Sequence, residues 1–246
     1  METTATADGL TTGDRIGRPG AGRSGWRGVL TATLDLLWPS SCAACGRAGP
    51  AACEVCLAEL ARAPLALRPG VSALARHDGA AREFVLAYKE HGRRDLARPL
   101  GRALAAVVPL LDGARPDADG TWWLVPVPSR PAASRMRGGP HVRALARECA
   151  HALAHAGEPV AVAPALRLSA RARDAVGLGR AARVANLAGR VTVTRAGLPP
   201  PGTPVVLIDD VVTTGATLTA CTRALFEAGV EVGAAVTLTG AGAVTG

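Results

Sequence analysis

Short apolar runs closed by glycine, proline or small polar residues alternate along this chain with longer stretches whose apolar positions recur every three or four residues. The runs predict buried strands, and the longer stretches predict amphipathic helices. Strands are expected at 121–127 (TWWLVPV, closed by Pro128), 160–162, 205–208 (VVLI) and 232–239. Helices are expected at 81–90, 95–108, 142–155 and 216–228, the last stopped by Gly229. A lead-in helix over 28–38 ends at Pro39, a brief helix runs through Arg62, and a glycine-, serine- and arginine-bearing loop at 167–180 leads into a helix near Asn186. Strands and helices alternating in this way predict an α/β protein with a mostly parallel sheet and helices on both faces.

With 246 residues, 48% of them hydrophobic, the chain can build one main core and a small attached module. The expected division is a disordered tail at 1–28, a lead-in helix and cysteine module at 29–66, and the main domain at 71–246, with the boundary in the Pro-containing link 64–70. The tail lacks the apolar core of a secretory signal, and the apolar piece at 29–38 is broken by Asp35 and too short to span a bilayer. A cytoplasmic protein without a membrane span is the expectation. A formal charge of +8 favours a polyanionic partner, but 3% aromatic content offers few platforms for stacking single-stranded bases. Lys89 is the only lysine, so arginine carries nearly all the positive charge.

Cys42-x2-Cys45 and Cys53-x2-Cys56 are paired knuckles separated by seven residues. Two such pairs complete a four-thiolate set of the kind structural zinc favours, with disulfide pairing as the alternative in an oxidising compartment. Four thiolates close the coordination sphere, so such a zinc ion holds structure and activates no water. Cys149 and Cys221 fall within expected helices and read as buried thiols. The five histidines form no evident ligand set, and His151 with His155 reads as a helix face.

The strand at 205–208 delivers Asp209 and Asp210, then the turn Thr213-Thr214-Gly215-Ala216-Thr217, then a helix. Ligands of open α/β sheets bind at the carboxyl ends of strands. Backbone N–H groups from Val212 to Thr217, with the dipole of the following helix, suit a phosphate held without lysine. Gly215 permits close backbone approach. A Walker A loop needs Gly-Lys-Ser/Thr and a dinucleotide fingerprint needs several glycines, and neither pattern is present. Two carboxylates beside a phosphate suit a ligand rich in donors that becomes cationic during reaction. A phosphorylated ribose is such a ligand, its hydroxyls donating to Asp209 and Asp210 while the turn holds the 5′-phosphate. A strand, acidic turn and threonine cap without ligand is the alternative.

The stretch VVLIDDVVTTGATL resembles the signature that binds 5-phosphoribosyl-1-pyrophosphate (PRPP) in type I phosphoribosyltransferases. From about Leu34 to Thr239 the chain resembles the ComF family of competence-associated, phosphoribosyltransferase-like proteins. The cysteine module, AYKEHGRRDLARPLG, VPVPSR and RLSARARDAVGLGRAARVANLAGR carry the rest of the likeness. The resemblance implies PRPP with Mg2+ as ligand, a structural Zn2+, Asp209 and Asp210 as catalytic residues, and pyrophosphate received near Ser129 and Arg130. Ser129 and Arg130 taken alone also fit an ordinary surface turn. Arg167, Arg171 and Arg173 fit either a loop closing over diphosphate or a solvated basic loop, and Lys89 fits a solvated helix position equally well. Where the family has an RGFNQ-like stretch, Arg137 and Gly138 match and Gly139, Pro140 and His141 depart. The family link to competence adds an alternative role in DNA uptake, with single-stranded DNA bound by the knuckle and arginine surface.

Overall fold

Successive side chains of a strand point to opposite faces of its sheet, and this chain fills both with apolar residues. Trp122, Leu124, Val206 and Ile208 join one core, while Trp123, Val125, Val205 and Leu207 join another on the opposite face. The computed structural model describes residues 41–60, 63–129, 140–169 and 191–241, together with the backbone of 14–15. Its strands are β1 (Asp14–Arg15), β2 (Leu65–Arg68), β3 (Val71–Arg76), β4 (Trp122–Pro126), β5 (Val160–Val162), β6 (Leu166–Leu168), β7 (Val191–Val193), β8 (Pro204–Val212) and β9 (Glu231–Gly240). The α-helices are α1 (Glu54–Leu57), α2 (Gly79–Lys89), α3 (Ala97–Val107), α4 (His141–His155) and α5 (Ala216–Glu227).

Seven strands form one sheet in the order β1-β5-β4-β8-β9-β3-β2. The five central strands are parallel, and β1 and β2 add antiparallel edges. Such a sheet is buried on both faces, which is why β8 and β4 read as continuous apolar runs. Helices α2, α3 and α4 cover one face through Phe84, Leu100, Leu104 and Leu145. Helix α5 covers the other through Leu218, Cys221 and Leu225, beside the separate β6–β7 pair. Each fully buried leucine contributes about 1.5–3 kcal/mol of burial free energy. Gly101 lets α3 approach α4 closely, since a Cβ there would lie 2.8 Å from the Cys149 nitrogen. The fold is the mostly parallel α/β sheet, with helices on both faces, that the alternation predicts.

The indoles ahead of the site are anchored by two acids. Trp123 Nε1 donates to Asp117 Oδ2 at 2.7 Å, and Trp122 Nε1 donates to Glu158 Oε2 at 3.1 Å. Asp117 Oδ1 also accepts the Thr121 amide at 2.8 Å, so one turn residue sets the entry to β4.

Several expectations change. The link at 64–70 carries β2, which pairs antiparallel with β3, so these residues are an edge of the main sheet. Strand β3 was not expected: its Val-Ser-Ala-Leu-Ala-Arg sequence has little β propensity and forms through pairing with β9. Strand β8 continues past Ile208 through Val212, which places both acids inside the strand. Arg167 lies in β6, exposed and paired opposite Thr192, and not in a loop. Asp14–Arg15, within the expected tail, pair with β5. The lead-in helix at 29–38 and the helix near Asn186 fall outside the described residues. Among the described residues no helix is long and apolar enough to cross a membrane.

Candidate functional site

Because Asp209 and Asp210 are consecutive residues of β8, strand alternation sends their side chains to opposite faces. Asp209 follows Val205 and Leu207 toward α5, where its charge adds to the burial that raises the Cys221 thiol to about 12. Asp210 follows Val206 and Ile208 toward α2 and α4. Both are buried, at 9% and 4% exposure, and their environments push them apart. Burial, then the neighbouring Asp210 charge, lifts the Asp209 carboxyl well above the usual carboxylate range. Burial also acts on Asp210, but hydrogen bonding from His141 and the Lys89 ammonium outweigh it and hold its carboxyl well below that range.

One oxygen of Asp210 carries both partners. Lys89 Nζ lies 2.9 Å from Asp210 Oδ2, and His141 Nε2 lies 2.8 Å from the same atom. Asp210 Oδ1 accepts the Val211 amide at 2.7 Å, and Asp209 Oδ1 accepts the Asp210 amide at 2.9 Å. His141 is the first residue of α4, so the helix dipole also favours the Asp210 charge. Tyr88 fixes His141 by donating its hydroxyl to the His141 carbonyl at 2.6 Å and by an edge-on ring contact at 5.9 Å. With Asp210 paired to Lys89 and His141, and Asp209 pushed toward its neutral form by burial, the repulsion two bare carboxylates would exert on a phosphate is reduced. Sequence reasoning left Lys89 as an indifferent surface position and read His141 only as a departure from a pattern. Neither contact has a periodic signal, and only the uniqueness of Lys89 in the chain marks it.

Val212 ends β8, and Thr213 and Thr214 lead exposed into α5, whose N-cap is Gly215 at φ +72°. Thr214 Oγ1 accepts the Ala216 amide at 3.3 Å. The first-turn N–H groups of a helix lack intrahelical acceptors and face outward along its axis. Arg68 on β2 donates Nη1 to the Thr214 carbonyl at 3.1 Å and Nη2 to the Gly215 carbonyl at 3.2 Å. Each trans peptide directs its N–H opposite to its carbonyl, so Arg68 turns the Gly215 N–H away from itself, while the Ala216 N–H is donated to Thr214 Oγ1. A Cβ on Gly215 would collide with this guanidinium. The absent side chain of Gly215 thus makes room for Arg68, a residue with no motif to announce it.

Ser129 stands three residues beyond the end of β4, half-buried, at the same edge of the sheet, and Val127 N–H bonds the Ile208 carbonyl at 2.9 Å. Arg130, Arg171 and Arg173 lie outside the described residues. His77, at the end of β3, meets Thr239 Oγ1 at 2.8 Å on the same edge. Cys149 and Cys221 are fully buried, and burial alone raises the Cys149 thiol to about 12, which makes it inert.

The sulfurs of Cys42, Cys45, Cys53 and Cys56 lie within 4.8 Å of one another, and all six cysteines are free thiols. The Cys45 and Cys53 sulfurs are 3.8 Å apart. That matches the edge of a tetrahedron with metal–sulfur bonds of about 2.3 Å, near 3.8 Å. The Cys53 amide points at Cys42 Sγ at 3.5 Å. Burial raises the Cys42 thiol, but amide hydrogen bonds from Cys53, Cys45 and Ala44 outweigh it and bring it down to about 6. Burial and the neighbouring sulfurs push Cys56 up, an opposition that a divalent cation would reverse. The donor set therefore fits a metal ion such as zinc. The module shares a core with the main domain, since Cys42, Cys53, Cys56 and Leu60 pack with Phe84 and Tyr88. Glu59 Oε2 accepts the Ala80 amide at the start of α2 at 3.1 Å, and Arg93 just beyond α2 donates to the Ser41 carbonyl at 2.9 Å.

Residues 142–243 match the family model of the phosphoribosyl transferase domain, a span that runs from α4 through β9 and includes Asp209, Asp210 and the Thr213–Thr217 turn. No curated protein matches the chain. Among solved structures, one described as the analysis of an invariant aspartic acid in HPRTs, an asparagine mutant, is similar at 18% identity and a TM-score of 0.31. The likeness covers 60% of this chain and 66% of that one, so the chain spans just under two thirds of its length. The domain match covers less than half of the chain. It leaves out Lys89, Arg68, His141 and the cysteine module.

Proposed function

We propose that the protein binds PRPP at the carboxyl end of β8 and transfers its phosphoribosyl group to an acceptor. The observation that carries this is the direct passage from a donor-surrounded Asp210 into a turn whose Thr214 and Gly215 carbonyls Arg68 holds at the start of α5. The 5′-phosphate sits against Val212 to Thr217, and the ribose hydroxyls donate to Asp210 and Asp209. When the C1–O bond breaks, pyrophosphate leaves with the electron pair and the acceptor's lone pair forms the new bond to C1. Asp210 lies beside the oxocarbenium character that develops there. Ser129 meets the leaving diphosphate, with Arg130, Arg171 and Arg173 as further candidates. Mg2+ bound with PRPP supplies neutralisation of the diphosphate charge. The four cysteines hold Zn2+ as a structural ion, in a cytoplasmic, ComF-like protein. A role in DNA uptake rests on the family resemblance alone. Incubation with PRPP, Mg2+ and a panel of purine, pyrimidine and amine acceptors tests transfer: pyrophosphate release with one acceptor class supports it, and none with any acceptor refutes it.

A further inference from the structure

Asp210 Oδ2 is already saturated. A carboxylate oxygen offers about two lone-pair positions, and Lys89 Nζ and His141 Nε2 take both, at 2.9 Å and 2.8 Å. Oδ1 is turned to its own backbone and accepts the Val211 amide. A ribose hydroxyl that donates to Oδ2 must replace one of the two donors.

The two are unequally held. His141 is 9% exposed, begins α4, and is fixed by the Tyr88 hydroxyl and the edge of the Tyr88 ring. Lys89 is 29% exposed, ends α2, and carries its ammonium on a flexible four-carbon stem. Lys89 is the less firmly held of the two donors. Its direction follows from the faces of the sheet. The phosphate turn opens α5, which packs on one face, whereas Lys89 and His141 approach the end of β8 from the other. A ribose lying across the end of β8 with its 5′-phosphate on the α5 side presents the substituent of its anomeric carbon to the α2 and α4 side.

We infer that Lys89 is a ligand-contacting residue that exchanges its ion pair with Asp210 for the diphosphate on the anomeric carbon, while His141 remains on Asp210. This rests on the phosphoribosyl reading of the same site. An ammonium serves as a compact point charge for phosphate, and no other lysine in the chain can replace it. The exchange leaves Asp210 hydrogen-bonded throughout, because ribose hydroxyl donors take the place of the ammonium while His141 stays.

Calorimetry on the zinc-loaded full chain with Mg2+ separates PRPP from ribose 5-phosphate, which lacks the diphosphate. Lys89→Met is expected to weaken PRPP about tenfold or more and to leave ribose 5-phosphate within about threefold, with Lys89→Arg recovering most of the loss. Asp210→Asn is expected to weaken both ligands. If Lys89→Met weakens both equally, Lys89 serves only to hold Asp210 and the inference falls. Unchanged binding of both also overturns it. Wild-type protein that binds neither ligand overturns the phosphoribosyl reading itself, whereas wild-type binding with an indifferent Lys89→Met overturns the exchange alone.

Discussion

The guanidinium of Arg68 occupies the space that a side chain on Gly215 would need, while it bonds the carbonyls of Thr214 and Gly215. Gly215→Ala therefore meets two penalties, a left-handed backbone at φ +72° and the displacement of Arg68. The backbone part alone costs about 1–2 kcal/mol. Arg68→Ala removes the second penalty, so the double variant should lose less stability than the sum of the single variants by about 1 kcal/mol. Denaturant unfolding of the four proteins measures this, and strict additivity would deny the contact. Ribose 5-phosphate should bind Arg68→Ala more weakly, because the N–H groups of the turn lose their alignment.

The two acids should oppose one another in the pH dependence of stability. Asp209 is raised in the fold, so above about pH 4 the unfolded chain ionises it more readily, and stability falls as pH rises through that window. Asp209→Asn should thus raise the melting temperature near pH 7, with the gain fading below about pH 4. Asp210 is depressed, so its contribution is present above about pH 4 and is lost as pH falls toward its folded value. Asp210→Asn should cost stability near neutrality. Thermal melts from pH 3 to 8 report both signs.

Strand β8, helix α5 and the turn between them were legible because each has a strong local pattern: an unbroken apolar run, a 3.6-residue period and a glycine at the cap. The four cysteines were legible by spacing. Arg68 was not, since its contact with Thr214 joins residues 146 apart through a single guanidinium. The His141 contact with Asp210, 69 residues apart, is of the same kind. Even the opposite orientation of Asp209 and Asp210 follows from β8 extending to Val212, where polar residues hide a strand that pairing with β9 maintains.

Removal of the metal should loosen α2 before the rest of the fold. The module touches both ends of this helix, through Glu59 at Ala80 and Ser41 at Arg93. Elemental analysis should find about one zinc per chain, lost in a Cys42→Ser, Cys56→Ser double variant. Hydrogen exchange of the zinc-stripped protein should then speed up across 79–89 more than in β8 or β9. Equal protection with and without metal would separate the module from the site.

Close helix contact at Gly101 gives a prediction independent of the ligand. Gly101→Ala should destabilise the fold by about 1–3 kcal/mol, because its methyl group meets the backbone at Glu148 and Cys149. A neutral outcome in denaturant unfolding would mean that α3 and α4 can separate freely.

Titration of zinc-loaded protein with PRPP and Mg2+ by calorimetry tests the central claim most directly. Saturable binding of about one PRPP per chain is expected, competed by ribose 5-phosphate and weakened about tenfold or more by Asp210→Asn. Absence of saturable binding at millimolar PRPP, or binding that Asp210→Asn leaves untouched, would contradict a phosphoribosyl site at the end of β8.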